Sequence, residues 1–506
     1  MNPLRPNLKW DSAPESVTRA WQLRQLRKFL TTSVLPHSVH YRQLFHDVGF
    51  DPKDLRSWED WNRLPFTNKR DLTGEPGEPS RARDFLLQPD VQALRRRPGI
   101  ILRALFQGTE KVREILEAEF RPLLLTSTTG RSSEPVSFFF SRHDLRNLEL
   151  AGTRIMQIGG SSRDYRHVNL FPYAPHLAFW QAHYASIGFG TFCLSSGGGK
   201  TLGTAGNIAI IDRTEPEVII GMPTFLYHMF TEARERGHRW KRIKLIVLGG
   251  EKVPDVMRRK LQDLAAEMGS PDAKVLSIYG FTEAKMAFAE CPSPSGVEGT
   301  GFHVPADLAY FEVVNPTTGV PVADGEPGEI VFTPINGRGS VVLRYRTGDV
   351  IDGGMVRDRC QYCGRIMPRL MGNLSRVSDV YHLNLDKIKG TLVDFNKLER
   401  MLDGMEGLQA WQIELRKDHD DPLERDIMLV HATAEPELSE SILRDRILEH
   451  FELNLEISPN EILFHDLGTL RNQLGVGRLL KEEKIADHRP KVKSKEMIRE
   501  KTESVT

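Results

Sequence analysis

The chain has 506 residues, more than a single hydrophobic core usually serves and enough for two to four domains. Its composition is that of an ordinary soluble globular protein, 40% hydrophobic and 27% charged, and 68 Lys plus Arg balance 68 Asp plus Glu. The balance leaves no global field pointing to nucleic acid or an anionic membrane, and four cysteines are too few for a disulfide framework. The first ten residues hold no apolar core of signal-peptide length, and no run approaches the roughly 20 apolar residues of a membrane span. A cytoplasmic protein with no nucleic-acid partner and no membrane span is expected.

Residues 15–30 read as an amphipathic helix, with Trp21, Leu23, Leu26 and Leu30 near one face. The Gly/Pro/Ser-rich stretch 73–83 predicts a loop. The apolar run Leu123-Leu124-Leu125 opens into Thr126-Ser127-Thr128-Thr129-Gly130-Arg131, and 136–140 predicts a returning strand. Such a loop offers hydroxyls and backbone N–H groups to phosphate oxygens, with Arg131 adding charge; it also reads as a solvated Ser/Thr hairpin.

From residue 144 strands and helices alternate. A helix over 144–160 precedes a strand at 168–171 that ends in Pro172-Tyr173, and a helix follows over 176–190. The next strand starts at Cys193 and ends at the glycine turn Gly197-Gly198-Gly199, and one at 217–220 leads into a helix over 225–236. Two more apolar runs, 243–248 and 275–278, stop at Gly249-Gly250 and at Tyr279-Gly280-Phe281-Thr282-Glu283. This alternation predicts a mostly parallel sheet, whose ligands gather at the carboxyl ends of its strands. Glu283 at such an end suits a magnesium ion, and Thr282 a phosphate; a plain helix N-terminus accounts for the pair equally well.

After Gly301 the period shortens. Strands at 309–314, 329–333 and 341–346, separated by turn-rich segments, predict a small antiparallel β subdomain over about 301–377. Beyond residue 379, helices at 393–403 and 438–452 mix with strands at 408–416, 425–433 and 461–465. The fold class expected is therefore α/β: a large N-terminal domain (1–377) of mostly parallel sheets with helices and the β subdomain, then a small mobile α+β domain (378–490). Residues 491–506 read as a charged, disordered tail.

Seven motifs then fall in register: Leu64-Pro65-Phe66-Thr67-Asn68-Lys69, the 126–131 loop, Gly249-Gly250-Glu251, the 279–283 pentapeptide, Gly301-Phe302-His303, Tyr345-Arg346-Thr347-Gly348-Asp349, and Cys363-Gly364-Arg365 with Pro368-Arg369. Together they resemble the adenylate-forming enzymes, specifically the phenylacetate–coenzyme A ligase branch, over roughly residues 35–490. The resemblance implies that a carboxylic acid, aromatic by expectation, attacks ATP to give an acyl-adenylate and pyrophosphate, and that the thiol of coenzyme A then displaces AMP. It implies Thr126, Ser127, Thr128, Thr129, Gly130 and Arg131 at the phosphates, Glu283 on Mg2+, Thr282 at the α-phosphate, and Asp349 on the ribose. Arg365 and Arg376 would serve ribose and phosphate, Tyr279 with Gly280 the adenine, and Gly249, Gly250 and Glu251 the purine and acyl sites. The acid would lie among Tyr173, His176, Gly198 and Ser277, glycines there making room for a ring. Homodimers are also common among such relatives.

The chain departs from that family at three places. Ser127 replaces a loop glycine, Ser375-Arg376-Val377-Ser378-Asp379 replaces a Gly-Arg-x-Asp-Asp hinge, and Leu480 replaces the glycine before the catalytic C-terminal lysine, which aligns with Lys481, with Lys484 and Arg478 as close competitors. Two other outcomes stay open: transfer of the acyl group to a protein thiol, carrier domain or amine, and a non-catalytic nucleotide-binding protein. Separately, Cys360-x-x-Cys363 with Cys291 and His303 could close a tetrahedral structural zinc site, as in some relatives, or be buried thiols that hold nothing.

Overall fold

The computed structural model describes residues 9–74, 80–89, 98–128, 135–376, 385–388, 391–417, 426–455, 458–476 and 482–489. The chain divides into two compact units, 1–377 and 378–506. In the first, β1 (Leu124–Ser127) and β2 (Ser137–Phe140) form an antiparallel hairpin. Then follow β3 (His167–Asn169), β4 (Cys193–Ser195), β5 (Val218–Gly221), β6 (Leu245–Leu248), β7 (Lys274–Phe281), β8 (Met286–Ala289) and β9 (Phe302–His303). The last six are β10 (Ala309–Val314), β11 (Gly328–Pro334), β12 (Tyr345–Ile351), β13 (Met355–Val356), β14 (Arg369–Leu370) and β15 (Leu374–Arg376).

The main sheet has nine strands in the order β13-β14-β9-β8-β7-β6-β5-β3-β4. It is parallel from β4 to β7, as the strand–helix alternation predicts, and antiparallel beyond. Helices Arg142–Ile158 and Leu177–Phe189 pack together through small residues; a Cβ added at Gly152 would lie 2.4 Å from the Ala185 Cα. The first of these helices starts in a capping box, Ser141 and Asp144 each accepting from the other's backbone N–H at 3.4 and 2.9 Å.

Three expectations are corrected here. Strand β7 does not stop at Ile278 but runs to Phe281, because β8 turns back and pairs with it from Ile278↔Ala289 to Phe281↔Met286. The strand expected at 341–346 is instead β12, beginning at Tyr345. Arg344 takes a left-handed φ of 46°, which ends the preceding extended segment, and Val341, Val342 and Leu343 are buried as core. The expected β subdomain is split: β9, β13 and β14 join the nine-stranded sheet, while β10, β11, β12 and β15 make a separate four-stranded antiparallel sheet.

The second unit has a sheet in the order β20-β19-β18-β21, with β18 (Leu408–Lys417) and β19 (Asp426–Ala434) antiparallel at its centre and β20 (Glu461–Phe464) and β21 (Ile485–Asp487) parallel at its flanks. Helices Phe395–Asp403, Glu440–Leu455 and Leu467–Gln473 accompany it, as does the hairpin of β16 (Leu385–Ile388) and β17 (Thr391–Asp394). That hairpin, β21 and the helix Leu467–Gln473 are additions to the elements expected from sequence. The proposed tail lies outside the described residues.

Candidate active site

Charged and phenolic groups converge where β7 gives way to the Thr282–Ala284 turn and where β12 faces β15. Tyr345, first residue of β12, donates its hydroxyl to Glu283 Oε1 at 2.7 Å. The Tyr279 hydroxyl donates to Asp349 Oδ2 at 2.8 Å. The antiparallel register sets Arg376 opposite Asp349, with Nη1 3.1 Å from Oδ1. Asp349 lies inside β12, not at its end. Strand β12 continues along β15 to Ile351, and Gly348, with φ of 72°, takes up a bulge against β11.

The 64–69 motif clasps the start of β12. Thr67 N–H donates to the Arg344 carbonyl at 3.0 Å, Arg346 N–H returns to the Thr67 carbonyl at 2.9 Å, and the Thr67 hydroxyl reaches the Leu343 carbonyl at 2.7 Å. Arg344 is buried; it pairs with Glu312 at 2.8 Å, donates to the Leu64 carbonyl at 2.6 Å, and stacks over Phe66 at 4.2 Å. Two motifs far apart in sequence are thus one clamp that fixes where Tyr345 meets Glu283.

Burial raises Glu283 above the ordinary glutamate value, opposed by the Tyr345 hydrogen bond, which pulls it down. Burial also lifts Tyr279 and Tyr345 well above the usual phenol range, reinforced by Asp349 and Glu283 respectively, so both hydroxyls stay protonated donors. Asp349 raises Arg376 in turn, although the arginine side chain is 59% exposed. Because the donor on Glu283 is neutral, its hydrogen bond orients the carboxylate without cancelling the charge, as a magnesium-holding group requires.

The hydroxyl hairpin is less simply arranged. Thr126, expected at the phosphates, is wholly buried, and its Oγ1 has no hydrogen-bond partner among the described residues. The period of two along β1 turns it inward, which corrects that expectation. Thr128 closes the hairpin: its N–H donates to the Val136 carbonyl at 3.0 Å, and its Oγ1 accepts from Val136 N–H at 2.9 Å. Ser127 N–H donates to the Pro175 carbonyl at 2.5 Å, and His176 Nδ1 lies 2.9 Å from the Ser127 carbonyl. His176 therefore ties the hairpin to the segment expected to hold the acid.

Other expected site residues have identifiable partners. Glu251 accepts from the Thr224 N–H and hydroxyl at 3.3 and 2.8 Å, at the start of helix Pro223–Glu235. Ser277 is held in β7 by its N–H to Glu290 Oε2 at 2.7 Å. Gly280 packs on β8, where an added Cβ would lie 2.8 Å from that of Ala287. Gly198 leaves no space for a ring: the place of its missing Cβ is taken by the Leu170 carbonyl, 2.7 Å away, and its φ of 75° favours glycine. Tyr173 is 67% exposed and stands edge-on to Phe179 at 5.1 Å. Arg365 is not brought to the nucleotide side at all; it is 1% exposed, pairs with Asp11 at 3.4 Å, and donates to the Gln157 carbonyl.

One group went unnoticed in the sequence. Lys285, two residues past Glu283 in a left-handed conformation (φ 57°), is 5% exposed and lies 2.8 Å from Asp144. Asp144 also accepts from the backbone N–H groups of Ser141, Arg338 and Gly339 at 2.9, 3.1 and 2.6 Å. The ion pair joins the Glu283 turn to the first turn of helix Arg142–Ile158.

Cys291, His303, Cys360 and Cys363 come together as the spacing predicts, all buried, with their ligand atoms within 4.8 Å of one another. The Cys291–Cys360 sulfur separation is 3.7 Å, and Cys363 Sγ is 3.3 Å from His303 Nε2. A tetrahedron with Zn–S of about 2.3 Å has an S–S edge of about 3.8 Å, so the donor set and spacing fit zinc. Gly364, at φ 73°, shapes the knuckle, its N–H donating to the Cys360 carbonyl at 2.8 Å. Cys193 lies apart from this group, on β4.

The family described as AMP-binding enzyme matches residues 151–339. Phenylacetate-coenzyme A ligase of Thermus thermophilus is 25% identical over 471 residues, 92% of this chain and 90% of that one. The Escherichia coli enzyme of the same name is 24% identical over 391 residues, 76% of each. These matches make the chain similar to the adenylate-forming superfamily, and specifically to its phenylacetate–coenzyme A ligase branch. The fold agrees: a 2-hydroxyisobutyryl-CoA ligase in its postadenylation state superposes with a TM-score of 0.71, at 19% identity over 98% of this chain and 94% of that one. Thr129, Gly130, Arg131 and Lys481 lie outside the described residues, as does most of the expected hinge. Among the described residues no helix is long and apolar enough to cross a membrane.

Proposed function

We propose that this protein uses ATP to convert a carboxylic acid, carrying an aromatic or other apolar group, into an acyl-adenylate and then into its coenzyme A thioester, releasing pyrophosphate and AMP. The observation that carries the proposal is the convergence of Glu283, Tyr345, Tyr279, Asp349 and Arg376 between the end of β7 and the paired strands β12 and β15, with separations of 2.7, 2.8 and 3.1 Å between the bonded pairs. Asp349 and Arg376 supply an acceptor and a donor for ribose hydroxyls and phosphate. Tyr279 holds Asp349 in place. Glu283 would hold Mg2+, which when bound neutralises charge on the nucleotide phosphates. Thr282, in the same turn, would reach the α-phosphate, and Lys481 would meet the charge that develops between the carboxylate and that phosphate. Coenzyme A as the acceptor rests on the ligases that share nearly the whole length of this chain. The four-ligand Cys/His site would hold a structural zinc, closed to water.

A purified enzyme given ATP, magnesium and a panel of acids should exchange labelled pyrophosphate into ATP, and should form AMP and a thioester once coenzyme A is added. Glu283→Gln should lower the exchange about 100-fold or more. Exchange that survives this substitution unchanged, or its absence with every acid, would overturn the reading.

A further inference from the structure

Helices Pro98–Gln107 and Thr109–Phe120 form a helical hairpin joined at Gly108, whose N–H donates to the Ala104 carbonyl at 2.9 Å and whose φ of 84° makes the turn. The hairpin is fastened at its far end. Phe120 is buried in the core with its ring 4.1 Å from that of His37, and Leu116 packs against the same core. The first helix differs: no position along it is buried. Ile101, Leu102, Leu105 and Phe106 are 44, 58, 77 and 82% exposed. At 3.6 residues per turn these four share an arc of about 140°, while the half-buried Ile100 and Ala104 fall on the other side. A helix this short gains little stability from its own hydrogen bonds in water, so a continuous apolar face turned outward calls for a partner.

The local charge says which partner. The chain as a whole is neutral, yet from Val91 to Thr109 it carries four arginines, Arg95, Arg96, Arg97 and Arg103, and no acid. Arg103 is exposed and falls just past the edge of the apolar arc, where its guanidinium can stay in water while the arc is covered. Acids begin only at Glu110, on the second helix, where both signs occur and Arg113 pairs with Glu117 at 2.9 Å. A flat apolar arc edged by arginine alone is complementary to a surface that is hydrocarbon beneath and anionic above, which is an acidic phospholipid leaflet.

We propose that the outward face of helix Pro98–Gln107 docks on an anionic phospholipid surface. Ile101, Leu102, Leu105 and Phe106 enter the boundary between headgroups and acyl chains, and Arg103 meets the lipid phosphates. The helix lies in the plane of the surface and crosses nothing, in keeping with its ten residues. The inference is independent of the acid-activating function proposed above, and its test reads no turnover.

The test is flotation of the full-length protein with vesicles of phosphatidylcholine alone and of phosphatidylcholine mixed with phosphatidylserine. Wild type should float with the mixed vesicles, and high salt should weaken the binding. The double variant Leu105→Ser/Phe106→Ser should bind about 100-fold more weakly, about tenfold for each apolar side chain withdrawn from the lipid. Its Tm should hold, because neither side chain is buried. Arg103→Gln, which leaves the apolar face intact, should cost about fivefold on the mixed vesicles and little on phosphatidylcholine. Failure to float with the mixed vesicles, equal binding to both kinds, or binding that the double variant retains overturns the proposal. So does a wild-type dimer that binds no vesicle and that the double variant splits, since the face then belongs to a second copy of the chain.

Discussion

The Lys285–Asp144 pair makes the most exposing test of how the site is held. Lys285→Met keeps the length and apolar stem of the side chain and removes only its charge. Both partners are buried, at 5 and 3% exposure, and 2.8 Å apart. Burial opposes ionisation of both: it pulls Lys285 down, and it would raise Asp144 were the lysine not beside it to hold the carboxyl low. Removing one member of a buried pair costs about 3–5 kcal/mol, because the other charge is left without its counterion. Asp144 retains three backbone donors, from Ser141, Arg338 and Gly339, so the lower end, about 3 kcal/mol, is expected. An unfolding entropy of about 2.1 cal/mol/K per residue, over a unit ending at Val377, makes this a drop of about 4 °C in Tm. Asp144→Asn should repair part of the loss in the double variant, since it removes the stranded charge. The function should follow. With the strut gone, the Glu283 turn is no longer tied to the first turn of helix Arg142–Ile158, and KM for magnesium–ATP should rise about tenfold while KM for the acid changes little. Differential scanning fluorimetry and pyrophosphate exchange read the two effects. A Tm within 1 °C of wild type together with an unchanged KM for ATP would refute the strut.

The other predictions concern single groups. Glu283 has a folded-state pKa raised by burial, so the proton favours the folded chain; its contribution is fully present below the unfolded value and is lost as pH rises through the folded one. Glu283→Gln should therefore raise Tm at neutral pH while abolishing turnover, and equal loss of both would count against that burial. Tyr345→Phe removes the bond that lowers Glu283, so the acid limb of the kcat/KM profile for ATP should move to higher pH; a limb that stays put or moves down refutes the assignment. Elemental analysis should find one zinc per chain, and Cys360→Ser or chelation should lower Tm by about 5 °C, the value for a metal present at about 1,000 times its Kd. Gly249→Ala should cost about 1–3 kcal/mol, since its Cβ would meet Ile278 Cγ1 at 2.6 Å; an unaffected Tm would mean that the isoleucine yields freely.

What could be read from the residues, and what could not, divides along physical lines. The parallel half of the main sheet was legible because each buried strand is a short apolar run closed by glycine or proline, a local signal that owes nothing to distant contacts. The metal set was legible because Cys360 and Cys363 are two residues apart, and that spacing alone commits two thiols to one point. The failures lie where a distant partner decides. Arg365 looks like any phosphate-binding arginine, and only Asp11, more than 350 positions earlier, shows that it is buried for packing. Thr126 belongs to a run of hydroxyls, and the hairpin register alone turns it inward. Strand β12 was displaced by one residue, Arg344, whose positive φ no local rule anticipates, and that shift has a functional consequence. Starting the strand at Tyr345 makes this tyrosine the residue that the Thr67 clamp straddles, where its hydroxyl meets Glu283. The 64–69 motif and the Tyr345–Asp349 motif recur in order along the chain because each completes the other. A substitution in the first, such as Thr67→Val, should be felt as a change in how Glu283 is held and not only as a loss of packing.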